Sequence, residues 1–238
     1  MSLFKTVLAG SLLSASVCAQ ATPIFSIFEL GVQPAQTARY TEIGTHNVHT
    51  SIATEAGTLA MFALADNASP QLNYMAEIYA DDIAYKTHLQ SPQYQQFAQN
   101  APQILTAHKK KIELLAQFLG DKKVEQTPQT QVHLVVVDVQ ASANTDFAQI
   151  VTAEMAQALA IENGVLAMYA ATAKDQPNRW YFLEVYADEQ AYQQHRQTPH
   201  FQSYLAQTAA MVKDKRFINV SPVVLGNQGG LRFRRPGL

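Results

Sequence analysis

Two stretches of this 238-residue chain repeat one another and decide its fold. Residues 57–97 read GTLAMFALADNASPQLNYMAEIYADDIAYKTHLQSPQYQQF, and residues 164–204 read GVLAMYAATAKDQPNRWYFLEVYADEQAYQQHRQTPHFQSY. They align without a gap at a constant offset of 107, and 17 of the 41 positions are identical. Solenoid repeats run to roughly 20 to 50 residues. The longer period therefore indicates one domain-sized unit written twice.

The second copy predicts the elements of a unit. A β-branched run at 132–139 indicates a buried strand, and apolar residues at helical spacing follow from Thr145 to the Asn163-Gly164 stop. A hairpin of two strands follows, at 165–172 and 179–186. Two helical segments, at 188–196 and 198–212, and a last strand at 217–225 complete the unit.

This βαββαβ order is the ferredoxin-like α+β arrangement, an antiparallel sheet with both helices on one face. The open face of the sheet must also be covered, and the second copy's sheet is the nearest cover. We therefore predict that the two tandem units enclose one core within a single chain.

The first 21 residues are typical of a secretory signal peptide. Lys5 gives a charged start, residues 7–17 are apolar, and Ala19-Gln20-Ala21 is a small-x-small cleavage site. We expect cleavage after Ala21 and a secreted or periplasmic protein. Cys18 makes lipid modification the alternative, although Val17 stands where such signals carry a small residue.

The rest of the chain divides into four predicted segments. The first unit covers 22–120, a polar linker 121–131, the second unit 132–226, and a flexible, Gly-rich basic tail 227–238.

Composition excludes several function classes from the mature protein. Cys18 is the only cysteine, so thiolate nucleophiles, disulfides and thiolate metal sites are excluded. Loss of Lys5 leaves 16 basic residues (17 minus 1) against 19 acidic ones, a formal net charge of −3, so no nucleic-acid partner is expected. No later apolar stretch approaches the roughly 20 residues of a membrane span. Motifs for nucleotide, flavin and serine-hydrolase sites are absent from the sequence.

A histidine recurs at the same place in each copy. His88 follows Tyr85 by three residues, and His195 follows Tyr192 by three, so each pair shares one face of a helix. Because that face carries the apolar residues, we expect the imidazole to point between helix and sheet, where it would act as a base. The alternative is a buried histidine bonded to backbone.

A carboxylate and a tyrosine recur on the second hairpin strand, two residues apart and hence on one face. Such a carboxylate could orient the histidine, have a raised pKa, or reach solvent at the strand end, and the tyrosines could serve packing alone. The candidate substrate-binding residues are Glu77, Tyr79, Tyr85, Glu184, Tyr186, Tyr192 and, in copy two only, His200.

His46 and His49, with His108, form a weak metal-site pattern. Copy two has Ala153 and Ala156 at the positions of the first two, so we predict no metal site.

Together these residues resemble the antibiotic biosynthesis monooxygenase (ABM) module in a tandem, quinol-monooxygenase-like form. The pattern at 162–166 precedes a strand, and the pattern at 184–201 runs Glu-Val-Tyr, Asp-x-x-Ala-Tyr-x-x-His-x-x-Thr-Pro-His-Phe. Copy one repeats it at 55–59 and 77–94, so the resemblance covers both units.

The resemblance implies an oxygenase that acts on a quinol, anthrone or similar phenol with O₂ and needs no cofactor. A base removes the phenolic proton, the anion passes an electron to O₂, and the radicals recombine. By resemblance, His88 and His195 are the candidate catalytic bases. Single-copy relatives form dimeric α/β barrels, so the resemblance implies that the two tandem units form an intramolecular dimeric α/β barrel. The chain resembles a fused dimer and is expected to be a monomer.

Haem chemistry is the first alternative. A branch of the same fold binds or degrades haem through an asparagine in the first strand and a tryptophan near the end of the third. Neither 24–32 nor 132–139 contains asparagine, and Tyr79 and Tyr186 take the place of the tryptophan. Axial ligation by a histidine stays open. The second alternative is a non-catalytic protein that binds a small aromatic ligand.

Overall fold

The computed structural model describes residues 22–237, so the predicted signal peptide lies outside the described residues. The first unit consists of β1 (Ile24–Val32), α1 (Thr37–Thr54), β2 (Thr58–Asp66), β3 (Leu72–Tyr79), α2 (Asp82–Gln90), α3 (Pro92–Ile104) and β4 (Leu105–Asp121). The second consists of β5 (Gln131–Val139), α4 (Asn144–Ile161), β6 (Val165–Ala173), β7 (Arg179–Tyr186), α5 (Glu189–Gln197), α6 (Pro199–Thr208), β8 (Val212–Ile218) and β9 (Val220–Asn227). The predicted ferredoxin-like order is confirmed in both units.

A capped break divides the second helical region of each unit. Ser91 accepts a hydrogen bond from the backbone N–H of Tyr94 at 3.3 Å, and Thr198 accepts one from Phe201 at 3.3 Å. A proline follows each cap at the first helical position, where its missing N–H costs nothing. Each break therefore ends one short helix and starts the next.

The two sheets join because the last strand of each unit crosses to the other unit. One half of β4 pairs with β1 and its other half with β6, while β8 pairs with β5 and β9 with β2. The resulting strand order is β8-β5-β7-β6-β4-β1-β3-β2-β9. Since Asn219 alone separates β8 from β9, the ring closes on itself. The predicted barrel is present within one chain.

The barrel interior is a core that both units share. It includes Phe25 and Phe62 from the first unit and Tyr169 and Leu183 from the second, each at most 1% exposed. The helices pack on the outside, α1 over the sheet of its unit and α4 over the other. The space between helices and sheet is separate from the barrel core, and the candidate functional residues lie there.

The last strand differs from its prediction. The expected strand at 217–225 is replaced by β8 and β9, so regular structure begins at Val212. Residues 213–216 read Lys-Asp-Lys-Arg, a polar run without a strand-like alternation, and they form a strand because β5 supplies the hydrogen-bonding partner.

The predicted flexible tail is wrong for Arg232–Arg234, which form β10 against β4. Phe233 is buried in the shared core. Asp121, within the predicted linker, accepts hydrogen bonds from the Tyr169 hydroxyl at 2.5 Å and the Leu231 backbone at 2.9 Å. Asp121 of the predicted linker and Leu231 to Arg234 of the predicted tail therefore pack where the two units meet.

No helix within residues 22–237 is long and apolar enough to cross a membrane.

Candidate active site

The short helices α2 and α5 position the two predicted histidines. Asp81 caps α2 by accepting from the backbone N–H of Ala84 at 2.8 Å, and Asp188 caps α5 through Ala191 at 2.7 Å. His88 and His195 lie in the last turns of these helices, 0% and 1% exposed. Both imidazoles point between the helix layer and the sheet, as the apolar helix face predicts.

A carboxylate directly after the first helix of each unit holds the imidazole. The Nδ1 atom of His88 lies 3.0 Å from a carboxylate oxygen of Glu55, and Nδ1 of His195 lies 3.0 Å from Glu162. This contact fixes the ring and directs the other nitrogen, Nε2, into the interior. The two units share this arrangement.

Glu77 and Glu184 do not hold the histidines in the way that the orienting role would require. Each accepts a hydrogen bond at 2.9 Å from the tyrosine two residues later, Tyr79 or Tyr186. Side chains two residues apart on a strand share one face, so each tyrosine hydroxyl lies close enough to donate to the carboxylate.

The second unit adds an acidic and a basic side chain beside its histidine. Glu154 on α4 places Oε1 3.7 Å from Nε2 of His195 and 3.8 Å from Nε2 of His200. His200, at the start of α6, also lies 2.7 Å from Glu162. Two imidazoles and two carboxylates therefore form one buried cluster, named here the acid–histidine cluster.

Glu154 is the least satisfied member of this cluster. Its side chain is 6% exposed, and Oε1 has no hydrogen-bond partner within residues 22–237. Burial, reinforced by the negative charges of Glu184 and Glu162, raises the pKa of Glu154 to about 8.

A cavity of about 440 Å³ opens beside the cluster, between the sheet and the helices of the second unit. Its wall is largely aromatic, with charged groups from Glu154, Glu184, Arg196 and Lys215 and with Tyr186, Tyr192, Phe182, Phe201, Tyr204 and Phe217. The volume and lining suit a small aromatic molecule.

His195 stands behind this wall rather than in it. Its ring centroid lies 4.7 Å from that of Phe201 and 5.5 Å from that of Tyr186. Glu154 lines the cavity and contacts His195, so it connects the cavity with the histidine.

The first unit has different groups at the corresponding positions. Asn47 replaces Glu154, and Gln93 replaces His200. The Gln93 amide donates to Glu55 at 2.5 Å and to Ser51 at 3.1 Å. A histidine–carboxylate pair is thus retained, but the additional carboxylate and imidazole are absent at these two positions.

The buried groups of the first unit have shifted pKa values. Burial raises the pKa of Glu77 to about 7, although the Tyr79 hydrogen bond and the Lys111 charge oppose the rise. Burial lowers the pKa of His88, opposed by Glu55. The Lys111 ammonium lies 5.0 Å from the Tyr85 ring, where the sheet register gives the second unit Phe217.

The structure places four of the sequence-predicted residues of the second unit at or directly behind the cavity of about 440 Å³, and the fifth, His200, in the acid–histidine cluster but not in the wall of that cavity. Glu184, Tyr186 and Tyr192 line the cavity, with His195 directly behind. His200 instead lines a neighbouring cavity of about 380 Å³, whose wall also includes Glu154. In the first unit Glu77, Tyr79 and Tyr85 surround His88.

Sequence reasoning missed three residues of the second unit's site: Glu162, Glu154 and His133. Glu162 and its counterpart Glu55 stand at the same offset of 107, a signal that would have identified them. Glu154 has no counterpart in copy one and carried no such signal. His133 stacks on Tyr192 with ring centroids 3.9 Å apart and lines the cavity.

The exposed His46 and His49 lie on α1, away from the buried cluster. The described residues contain instead a group suited to metal binding, in which one donor atom each from Glu154, His195 and His200 lie within 4.8 Å of one another.

Comparisons with known proteins agree with the duplicated architecture. The family profile described as antibiotic biosynthesis monooxygenase matches residues 23–100 and again 130–207. A Lactobacillus acidophilus structure, provisionally named a monooxygenase, is 31% identical and superposes with a TM-score of 0.85 over 89% of this chain and 99% of its own.

A similarly named Fusobacterium nucleatum protein is 28% identical, with a TM-score of 0.84 over 90% of this chain and 99% of its own. An anthrone oxidase-like protein at 13% identity, with a TM-score of 0.52 over 87% of this chain and 94% of its own, shares the fold. No curated protein matches this chain significantly.

Proposed function

Because the chain belongs to the antibiotic biosynthesis monooxygenase family, we propose that it oxidises a quinol, anthrone or related phenol with O₂ in the cavity of its second unit, without a bound cofactor. The observation that carries the proposal is the aromatic cavity whose wall contains the buried carboxylate of Glu154, backed by His195. We further propose that the protein acts after export, as its first 21 residues suggest.

The reaction needs a place for one proton and a site for a flat ring. Glu154 faces the cavity and, in the ionised form that becomes populated as pH approaches its pKa of about 8, would accept the phenolic proton. His195 at 3.7 Å, itself held by Glu162, would share it. Tyr186, Tyr192 and Phe201 would hold the ring. Glu154 is thus the proposed catalytic group of the second unit, and His195 acts through it.

The electrons come from the substrate alone. The phenolate gives one electron to O₂, and the resulting radical and superoxide combine at a ring carbon to form a peroxide. For an anthrone, the proton held at Glu154 returns to the peroxide, and loss of water leaves a carbonyl. The ring CH₂ group thus becomes C=O, one oxygen atom enters the product and the other leaves as water. Arg196 and Lys215 at the cavity wall would stabilise the anionic intermediates.

The first unit supports this reaction less well. It keeps the His88–Glu55 pair but has Asn47 where the proposed proton acceptor stands. We therefore assign the activity to the second unit.

Oxygen-electrode measurements on the mature protein in excess EDTA test the assignment. We expect O₂ uptake with anthrones or hydroquinones, and a fall in kcat/KM of roughly 100-fold or more in both Glu154→Asn and His195→Gln, the scale of lost acid–base catalysis. The double change His46→Gln and His49→Gln on the exposed face of α1 is the matched control and should act as wild type.

Four results would contradict the proposal in different ways. Unchanged uptake in His195→Gln would remove the cluster from the reaction. An equal loss in His88→Gln would give both units a role. A Soret absorption band would favour haem chemistry, and ligand binding without O₂ uptake would favour a binding protein.

A further inference from the structure

We propose that Glu154, His195 and His200 form a binding site for a divalent transition-metal ion of the zinc type, in the second unit only. The three donor atoms lie within 4.8 Å of one another, with Glu154 Oε1 3.7 Å and 3.8 Å from the two Nε2 atoms. Zinc bonds of roughly 2.0 to 2.2 Å in a tetrahedral site bring donors to about 3.4 Å from each other. Small side-chain movements would close the site.

Among residues 22–237, Glu154 Oε1 has no hydrogen bond to give up. By contrast, Nε2 of His200 lies 2.7 Å from Glu162 and 3.2 Å from the Thr198 hydroxyl, contacts that an ion would replace. Glu162 holds Nδ1 of His195 at 3.0 Å, which leaves Nε2 directed at Glu154. This is the carboxylate–histidine support that commonly orients a metal ligand. Glu154 Oε1 is buried without a hydrogen-bond partner in the part of the chain that the structure describes. A cation would satisfy it.

The surroundings favour a cation that has lost most of its water. The side chains of His195, Glu154 and His200 are 2%, 6% and 7% exposed. Glu162 adds a second carboxylate 2.7 Å from His200. An ion would enter through the cavity of about 380 Å³ that Glu154 and His200 line. Two carboxylates and two imidazoles suit zinc better than the all-oxygen sets that calcium and magnesium prefer.

The first unit supplies the matched comparison. Asn47 and Gln93 occupy the positions of Glu154 and His200, while His88 and Glu55 are retained. The same backbone site thus occurs with and without the two additional ligands. Replacing Glu154 by Asn and His200 by Gln rebuilds the first unit's set in the second, with residues that this fold already accommodates.

The metal site stands independently of the proposed oxygenase reaction. An ion on Glu154 and His195 would occupy the atoms assigned to proton transfer, so we expect zinc to inhibit any oxygenase activity. The site itself is measured without substrate.

Calorimetric titration of metal-stripped mature protein with zinc sulfate tests the proposal. We expect one buried site per chain, affinity lowered roughly 100-fold or more in Glu154→Asn with His200→Gln, and lowered roughly 10- to 100-fold in Glu162→Gln. His46→Gln with His49→Gln should keep the tight site, which separates it from binding by exposed histidines. Cobalt in place of zinc should give visible absorption of a tetrahedral ion, lost in the first double variant.

Folding of each variant is checked by the fluorescence of Trp180, the only tryptophan. Absence of tight zinc binding in wild type overturns the metal site. Equal affinity in the folded Glu154→Asn, His200→Gln variant does so as well. Failure of O₂ uptake in EDTA counts only against the proposed oxygenase, because zinc affinity is measured without substrate.

Discussion

At the scale of single residues, Glu77 is a carboxyl group whose burial disfavours its charged form. It is 8% exposed, and burial raises its pKa to about 7, while Tyr79 and Lys111 oppose the rise and Glu55 adds to it. The duplicated Glu184 is more exposed. Both copies have glutamate at this position, but the two carboxylates do not lie in the same environment.

Glu77 should reduce stability increasingly as pH rises. Below its unfolded pKa of about 4.5 both states hold the proton; between 4.5 and 7 only the folded state does, and above 7 the penalty is complete, about 3 kcal/mol. Glu77→Gln should therefore gain stability over wild type at pH 8 relative to pH 4, measured as free energy of unfolding in urea.

The difference between the two proteins is the decisive quantity, because His88 titrates with the opposite sign. Its lowered pKa makes stability rise with pH up to its unfolded value, in wild type and variant alike. Glu125→Gln, at an exposed position, changes the net charge equally and should leave the pH dependence unchanged. Parallel curves for wild type and Glu77→Gln would refute the burial argument.

The site was predictable where one residue type recurs at one spacing. His88 and His195 could be placed on a buried helix face from their neighbours three residues earlier. Glu162 recurs as Glu55 at the same offset, but its contact with His195, 33 residues away, could not be predicted, and Glu154 lies on another helix with no copy-one equivalent. Only the packing of α4, α5 and α6 brings them together.

At the scale of elements, a glycine lets α5 approach the start of β6. A Cβ atom at Gly164 would lie 2.4 Å from that of Ala191, and at Gly57 2.5 Å from that of Ala84. Both distances are shorter than carbon atoms tolerate. The Gly–Ala pair, present in both copies, therefore makes a close contact that sets the position of the helix that carries the histidine.

Gly164→Ala should destabilise the protein by about 1 to 3 kcal/mol, the usual cost of an overpacked contact, in urea unfolding. Gly44→Ala is the control, since that Cβ meets no atom within 4 Å and the residue lies inside α1. It should stabilise by about 0.5 to 1 kcal/mol through helix propensity. Adding Ala191→Gly to Gly164→Ala should recover part of the loss; strict additivity would show that the contact is not the cause.

The elements themselves were mostly readable from periodicity and caps. The split of the last strand into β8 and β9 was not, because partner strands in both units determine where each half pairs. Part of the tail forms β10 for the same reason, because its backbone pairs with β4 and Phe233 packs into the barrel core. Strand pairing between distant segments leaves little local signal.

At the scale of the whole molecule, strand exchange makes the two units interdependent. The half of β4 that pairs with β6 and the pairing of β9 with β2 give each sheet a strand from the other unit. The core between the sheets belongs to both. The chain thus contains internally the kind of interface that a dimer of single units would make between two chains, and we expect a monomer by light scattering.

One cooperative unfolding transition should accompany that monomer. Trp180, 1% exposed, reports only on the second unit, whereas far-ultraviolet circular dichroism reports on both. Because neither sheet is complete without the other unit, the two signals should follow the same urea curve, the behaviour of a two-state molecule. Displaced midpoints would mean that one unit survives alone. In that case the exchanged strands would contribute little to stability, and a fused dimer would be a description of ancestry rather than of energetics.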